Sequence, residues 1–416
     1  MARGIFKIIT AALAVTAAAN AAQAGGFSRG TADTDLIYED GNFNIRAGVT
    51  IVSPTRKYTI NGVPALVGTN YTDTYVIPSA AIKLNVNDDL RCAGTFSQPY
   101  GGSTTFDVAT VSKKLSENFT INEIGLSCGY KFDLSKGRVW VLGGIFQEIF
   151  DYSRVNQTPF GNANLTLDGT DIGFRIGAAY EIPEIALRAQ LMYRTGSEYG
   201  ADGGIELPTA AVVGGQAQAL AQQALAAAAV GNLVLAGQLQ AQALALQAQI
   251  PGLVAAGASS TVPAIGAGKL PQSVELKLQS GIAPGWLAFG SVKWTDWSVT
   301  EQLIVTSPLG VQTNDYFWKD GWTVSLGVGH AFNDKVSGAA SLTWDQGVKT
   351  GYDLSSDTWT LGVGGSYKDD MGGEFRGGVG LTYITGATET LNAAGENSAV
   401  KGGMAYAVSA SYKVKW

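Results

Sequence analysis

Residues 271–298 read PQSVELKLQSGIAPGWLAFGSVKWTDWS. In the first arm Val274, Leu276 and Leu278 alternate with Glu275, Lys277 and Gln279. Side chains along a strand point to opposite faces in turn, so this arm has one apolar face and one charged face. Ala283-Pro284-Gly285 is a tight turn built from strong turn formers. In the second arm Leu287 and Phe289 are read as the apolar face and Lys293 as the opposite one. One such hairpin fits any antiparallel sheet. Its recurrence to the last residue is what decides the fold.

Reading outward, strands are expected over residues 43–53, 74–86, 90–97, 119–132, 138–155, 165–181 and 185–195. Then come the two arms, the second running on to about residue 306, and strands over 316–332, 335–345, 358–367, 374–385 and 400–416. In the sixth, Ile172, Phe174, Ile176 and Tyr180 oppose Asp171 and Arg175. Short turns alternate with long connections such as residues 59–73 and 99–117. Short turns at one rim and long loops at the other characterise single-chain outer-membrane barrels, and closure removes exposed strand edges. The fold class is therefore all-β: a 14-stranded antiparallel transmembrane β-barrel over residues 42–416, with both ends at the short-turn, periplasmic rim. The last strand ends on the aromatic Trp416, which resembles the signal read by the barrel-assembly machinery. A soluble β-sandwich with a final amphipathic strand is the rival reading.

Composition agrees. The chain has 416 residues, 54 of them Gly, with 15% charged. Mean hydropathy of +0.10 is too polar for a multi-helix membrane protein. It suits an apolar outer face in contact with outer-membrane lipids and a wet interior. Net charge is −6, or −8 once Arg3 and Lys7 are removed with a leader. There is no basic stripe, so nucleic acid is not an expected partner. Residues 1–24 have a positive start at Arg3 and Lys7, a short apolar core and Ala22-Gln23-Ala24, which together read as a cleaved signal peptide. The mature chain then starts at Gly25, and residues 25–41 form a short polar tail or plug. Export of such a barrel implies the outer membrane of a Gram-negative cell.

Residues 207–268 break the pattern. They hold no charged residue and are dominated by Ala, Gln and Leu. Ala and Gln favour helix. Gly231-Asn232 divides the stretch, and nine Gln between Gln216 and Gln249 make membrane spanning improbable. A helical hairpin outside the cell is expected, with a disordered low-complexity spacer as the alternative.

Four stretches stand out: Ser97-Gln98-Pro99-Tyr100-Gly101, Tyr193-Arg194-Thr195-Gly196, Leu270-Pro271-Gln272-Ser273-Val274 and, most specific, Trp294-Thr295-Asp296-Trp297-Ser298. Together they resemble the FadL family of outer-membrane channels for long-chain fatty acids and other hydrophobic compounds. The resemblance spans about residues 43–416. It implies an N-terminal hatch, capture of a hydrophobic molecule at the outer loops, and sideways exit at a kink in the third strand. Gly94 and Pro99 could supply that kink, because Gly and Pro weaken a ladder. The family's Asn-Pro-Ala motif and its longer hatch are absent, so residues 25–40 are expected to be too short to plug the barrel in the same way.

No Ser-His-Asp set, metal-ligand cluster or phosphate loop can be assembled, so neither enzyme activity nor a cofactor is expected. The single His330 faces the apolar side near the periplasmic rim. Inner-facing charges include Arg175, Arg188, Arg194, Glu275, Lys277, Lys293 and Arg376, most simply read as solvated and mutually paired. The sharper reading is that Arg194, Lys293 or Arg154, chosen by strand end and facing, receives a fatty-acid carboxylate. Asp296 falls on the lipid parity, which calls for a bulge or a position above the membrane. A general diffusion porin or a structural, adhesive barrel is the alternative function. Cys92 lies near the start of the third strand and Cys128 near the end of the fourth, both pointing outward. Their even count in an exported chain points to a disulfide, with two free thiols as the alternative.

Overall fold

The structure is a computed structural model and describes residues 25–391 and 397–416; the leader expected over residues 1–24 lies outside the described residues. Fourteen strands form the barrel: β1 (Phe43–Thr55), β2 (Tyr75–Asn85), β3 (Leu90–Thr105), β4 (Lys114–Asp133), β5 (Arg138–Thr158), β6 (Gly161–Ile182), β7 (Leu187–Arg194), β8 (Ser273–Ala283), β9 (Trp286–Thr295), β10 (Gly321–Ala331), β11 (Val336–Asp345), β12 (Thr358–Lys368), β13 (Gly373–Ile384) and β14 (Gly403–Lys415). Each pairs antiparallel with the next, and β14 closes on β1 from Lys415↔Asn44 to Met404↔Thr55. No edge is left open between first and last strand, as a lipid environment demands of backbone hydrogen bonds.

The burial pattern is inverted relative to a soluble protein. Ile172, Phe174 and Ile176 of β6 are 63%, 59% and 57% exposed, while Arg175 between them is 6% exposed. The exposed apolar residues form the lipid face, and the charges line the interior. Aromatic side chains flank this band. Trp344 and Trp359 face each other across β11 and β12, and Trp359 in turn pairs with Tyr383. Toward the other rim Tyr367 is the cross-strand partner of Phe375, which pairs with Tyr412. Trp359 and Tyr367 are eight residues apart on β12. At 3.3 Å per residue and a tilt of about 40°, that gives roughly 20 Å of height, close to the apolar band of such barrels. His330 lies in the same lower girdle, its ring 4.4 Å from that of Trp286 and 5.0 Å from that of Phe332.

Turns at the lower, periplasmic rim are short, as at residues 134–137 and 284–285, and the upper connections are longer except for the two-residue turn between β5 and β6. Four expectations need correction. The connection expected over residues 99–117 is mostly strand, because β3 runs to Thr105 and β4 starts at Lys114. β9 stops at Thr295, not near residue 306; a 3-10 turn at Trp297–Val299 follows, and Gln302–Ser307 pairs with Gly310–Asp315 as a separate outer hairpin. This also settles Asp296, which stands above the strand rather than on its lipid face. Leu287 is fully buried, so Leu287, Phe289 and Lys293 share the inner face of β9. Alternation puts residues of equal parity together, whatever their polarity. Finally, residues 207–268 are not helical throughout.

That insertion contains α1 (Thr209–Ala229), α2 (Leu233–Gln247) and α3 (Ile250–Ala256), with Asn232 capping α2 by accepting from the Leu235 amide at 3.2 Å. The helices stand on a two-stranded stalk, Ser197–Pro208 paired with Ser259–Leu270. The stalk strand Ser197–Pro208 pairs antiparallel with the upper half of β6, above the stretch that pairs with β7. Among the described residues no helix is long and apolar enough to cross a membrane.

Candidate functional site

The interior is built from the tail upward. Residues 25–40 run inside the barrel, and a 3-10 turn at Thr34–Tyr38 buries Leu36, Ile37 and Tyr38 against the lower wall. The tail carries four carboxylates, and the wall meets three of them with cations. Glu39 binds Lys413 at 2.6 Å, Arg376 at 3.4 Å and also Arg46, which in turn holds Asp33. Asp35 meets Lys277 at 3.4 Å and Arg188 at 3.7 Å. Lys83 donates to the carbonyls of Glu39 and Gly41, at 2.7 Å for the latter. Tyr38 lies under the Arg188 guanidinium at 4.1 Å and edge-on to Trp140. Short as it is, the tail is seated in the lumen by ion pairs and apolar contacts.

Above the plug a charged belt crosses the lumen. Arg194 pairs with Glu123 at 3.0 Å and with Glu148, Arg175 pairs with Glu123, and Ser197 donates to Glu148. Of the three head-group candidates, Arg194 is thus held by two carboxylates. Arg154 donates to Gln312 of the outer hairpin. Lys293 faces the lumen with no salt bridge among the described residues.

Over the belt sits an aromatic chamber. Phe27 of the tail has its ring 4.4 Å from Phe119, 4.6 Å from Trp318, 5.2 Å from Tyr316 and 6.3 Å from Trp297. Phe150 stacks on Tyr199 at 4.2 Å, and Leu165, Leu167 and Val305 complete the wall. Gly25 and Gly26 let the tail reach this chamber. A Cβ on Gly25 would stand 2.4 Å from Asp345 Oδ1, and Gly26 has φ +57 with a Cβ position 2.7 Å from Trp297. Sequence reasoning missed Phe27 and Trp318, since single aromatic residues in a tail and a loop carry no periodic signal.

The quoted motifs meet here. Trp294 faces the membrane and donates to Asp320 at 3.1 Å, while Trp297 is turned inward and 1% exposed. Asp296 accepts from Gln272 at 2.9 Å and from Ser298 at 2.8 Å, and Gln272 accepts from Tyr193 at 2.8 Å. Tyr100 packs edge-on to Trp297 at 5.5 Å.

The wall has one irregular place beside this chamber. β2 and β3 pair only from Asn85↔Arg91 to Ala80↔Phe96. Above that, β2 continues along β1 alone. In β3 the register shifts between Ser97 and Tyr100, around Gln98-Pro99, where Pro has no N–H to give. Gly94 pairs regularly with Ile82 and Leu126, so the irregularity lies at Pro99 and not at Gly94. The top is bounded by the bridge Thr72↔Thr104 and by Ser103 donating to Asp73 at 2.7 Å. The tail fills the window so framed. Arg29 and Gly30 amides donate to the carbonyls of Pro99 and Gln98, both at 2.8 Å, and Gly101 donates to Phe27 at 3.0 Å. Below the window, Cys92 and Cys128 are directly opposed in β3 and β4, with Cα atoms 4.0 Å apart and sulfurs 2.05 Å apart. Among the described residues no group of His, Cys, Asp and Glu could hold a metal.

No curated protein sequence matches the chain. Among solved structures it is similar to a FadL homologue of Pseudomonas aeruginosa, with a TM-score of 0.68 at 14% identity over 96% of this chain and 98% of that one. It is also similar to the toluene transporter TodX of Pseudomonas putida, with a TM-score of 0.61 at 12% identity over 97% and 98%. At such identities these likenesses speak for the fold. Residues 10–415 match the family model of outer membrane protein transport proteins (OMPP1/FadL/TodX), so this barrel belongs to that family of outer-membrane transport channels, which are not enzymes.

Proposed function

We propose that the protein takes up long-chain fatty acids or related hydrophobic compounds, captures them under the outer loops, and releases them sideways between β2 and β3. One observation carries this reading: the unpaired window opens beside the aromatic chamber, while the route straight down is filled by the ion-paired tail. A plug held by five cations opposes the diffusion-porin alternative. The chamber supplies the apolar surface that binds a hydrocarbon tail. Of the three candidate head-group cations, Arg194 is held by two carboxylates, while Lys293 and Arg154 have none among the described residues; Arg154 already donates to Gln312, which leaves Lys293 the freer of the two. Capture would begin at the outer loops, where a cleft of about 230 Å³ is lined by Phe160, Leu207, Leu253 and Val254.

The test is uptake of labelled oleate by cells that lack their own fatty-acid channel and carry this protein or its Lys293→Ala variant. Oleate uptake above the empty strain, reduced in Lys293→Ala, is expected. Conductance to small polar solutes without oleate uptake would return the porin reading. Uptake of toluene but not oleate would move the substrate to neutral aromatics, the compound for which the Pseudomonas putida neighbour is described.

A further inference from the structure

Arg29, like Arg56, Lys83, Arg91, Arg154 and Lys293, has no carboxylate within salt-bridge distance among the described residues, and it is the one of these that touches both sides of the window. Arg46, Arg175, Arg188, Arg194, Arg376 and Lys413 each face a carboxylate within salt-bridge distance. Arg29 is 4% exposed. Its side chain donates once, to Gln98 Oε1 at 3.1 Å, and its guanidinium lies over the Tyr75 ring at 4.2 Å. Those two contacts are on the two sides of the window, Tyr75 on β2 and Gln98 at the irregular turn of β3. The guanidinium also takes the space of a missing side chain. A Cβ on Gly101 would sit 2.6 Å from Arg29 Cζ, so any residue but Gly there would collide with it. Gly101 follows Tyr100, which points into the chamber, so the guanidinium lies on the other face of β3. Gln98 engages one of the five N–H donors, and the remaining donors have the planar fork that suits a carboxylate. Burial pushes the pKa of this guanidinium below its ordinary value, which marks a charge that the chain itself does not neutralise.

We propose that Arg29 is a specificity-determining residue for anionic amphipaths: it receives the carboxylate of a hydrophobic acid as that ligand passes from the aromatic chamber into the window. The proposal rests on the sideways route proposed above and adds the residue that tells an acid from a neutral hydrocarbon along it. A neutral hydrocarbon gains nothing from Arg29. An acid gains a charge-assisted, bidentate contact at the point where its head group must leave water, and its tail can then follow along Tyr75 and Ile77. The arrival of the carboxylate would also draw the guanidinium off Gln98, loosening the tail where it closes the window.

The test compares uptake of oleate with uptake of oleyl alcohol, equal in length and unsaturation but uncharged. In Arg29→Met, which keeps the stem packed on Tyr75, the oleate-to-alcohol uptake ratio should fall about tenfold, the worth of one charge-assisted contact. Arg29→Lys should restore most of it. An unchanged ratio in Arg29→Met overturns the proposal; this is also the result if Arg29 only anchors an anionic lipid of the surrounding membrane or only packs the tail. Gly101→Trp, which fills the window, tests the route separately. If it lowers uptake of both compounds, the route stands and the Arg29 ratio decides the substrate class. If it leaves both unaffected, the sideways route falls and the role of Arg29 falls with it. Heat-modified gel migration confirms that each variant barrel is folded.

Discussion

Replacing Glu39 by Gln should unseat the plug. Glu39 is the only carboxylate of the tail that touches three wall cations, Arg46, Arg376 and Lys413, and its side chain is 19% exposed. Breaking a buried ion pair from one side costs about 3–5 kcal/mol because the partner charges remain uncompensated. Here Asp33 still faces Arg46, and Glu374 still faces Arg376 and Lys413, so the lower end applies. A cost of about 3 kcal/mol is roughly a hundredfold in the docked-to-undocked ratio. Purified wild-type and Glu39→Gln proteins in planar bilayers should therefore differ about a hundredfold in the frequency of ion-conducting openings. Glu198→Gln is the control, since its pair with Lys269 lies at 75% and 54% side-chain exposure and such surface pairs contribute little. The sign with pH follows. Burial raises the Glu39 carboxyl, but Arg46, Lys413 and Arg376 outweigh it and hold it well below the usual carboxylate range. A depressed carboxylate stabilises docking fully above the free-state value of about 4.3 and loses that stabilisation progressively as pH falls from there through the docked value. Openings of the wild type should stay rare and constant from about pH 8 to 5 and rise below about pH 4. Equal opening frequencies in wild type and Glu39→Gln would show that the tail is seated by apolar packing alone.

Other outcomes follow from the same contacts. Glu123→Ala leaves Arg194 with Glu148 alone and Arg175 with no carboxylate among the described residues, and should destabilise the barrel by about 3–5 kcal/mol in denaturant titration. Trp297→Ala empties the chamber wall and should cost about 3–5 kcal/mol while weakening binding of a fluorescent fatty acid. Deleting residues 209–256 should remove the helical signal from circular dichroism and leave a heat-modifiable barrel, because the stalk below pairs with β6 without the helices. Alkylation of unreduced protein followed by mass spectrometry should label neither Cys92 nor Cys128. Their separation of 36 residues predicts a loss of about 4 kcal/mol on reduction, by loop-closure entropy.

The barrel was legible because lipid enforces alternation on one face. Ile172, Phe174 and Ile176, or Trp322 and Leu326, have no choice but to be apolar, and every turn between them at the lower rim is short. The same rule fails where lipid no longer touches the wall. β5 and β6 rise above the band, and their upper inner positions, Phe150, Tyr152, Leu165 and Leu167, are apolar for the chamber's sake. Leu287 on β9 is the clearest case, an apolar residue inside that was assigned to the membrane face. The stalk strands were hidden differently. Ser197–Pro208 and Ser259–Leu270 are rich in Gly, Ala and Ser, and their pairing depends on a partner some sixty residues away, across three helices.

The site was legible only in fragments, and the reason lies in where its halves sit in the chain. Trp294 and Trp297 stood out as a motif, yet nothing local says that one looks to the membrane and the other to the lumen; that depends on β9 ending at Thr295. The plug shows the same dependence. Asp33, Asp35 and Glu39 look like ordinary solvated acids of a polar tail, and Arg46, Arg188, Lys277, Arg376 and Lys413 look like separate inner-face charges. A signal was present: four of the five cations, Arg46, Arg188, Arg376 and Lys413, fall within three residues of the periplasmic end of their strands, so closure gathers them into a basic ring, with Lys277 about mid-strand above it. A short acidic segment free to enter that ring is its natural counterpart, and Coulomb attraction in a narrow, partly desolvated lumen does the rest. The ring fixes the depth of the tail, and that depth is what brings Phe27 level with the chamber and Arg29 level with the window. The charges at the bottom of the barrel therefore set the position of the residues at its exit, although no contact joins the two.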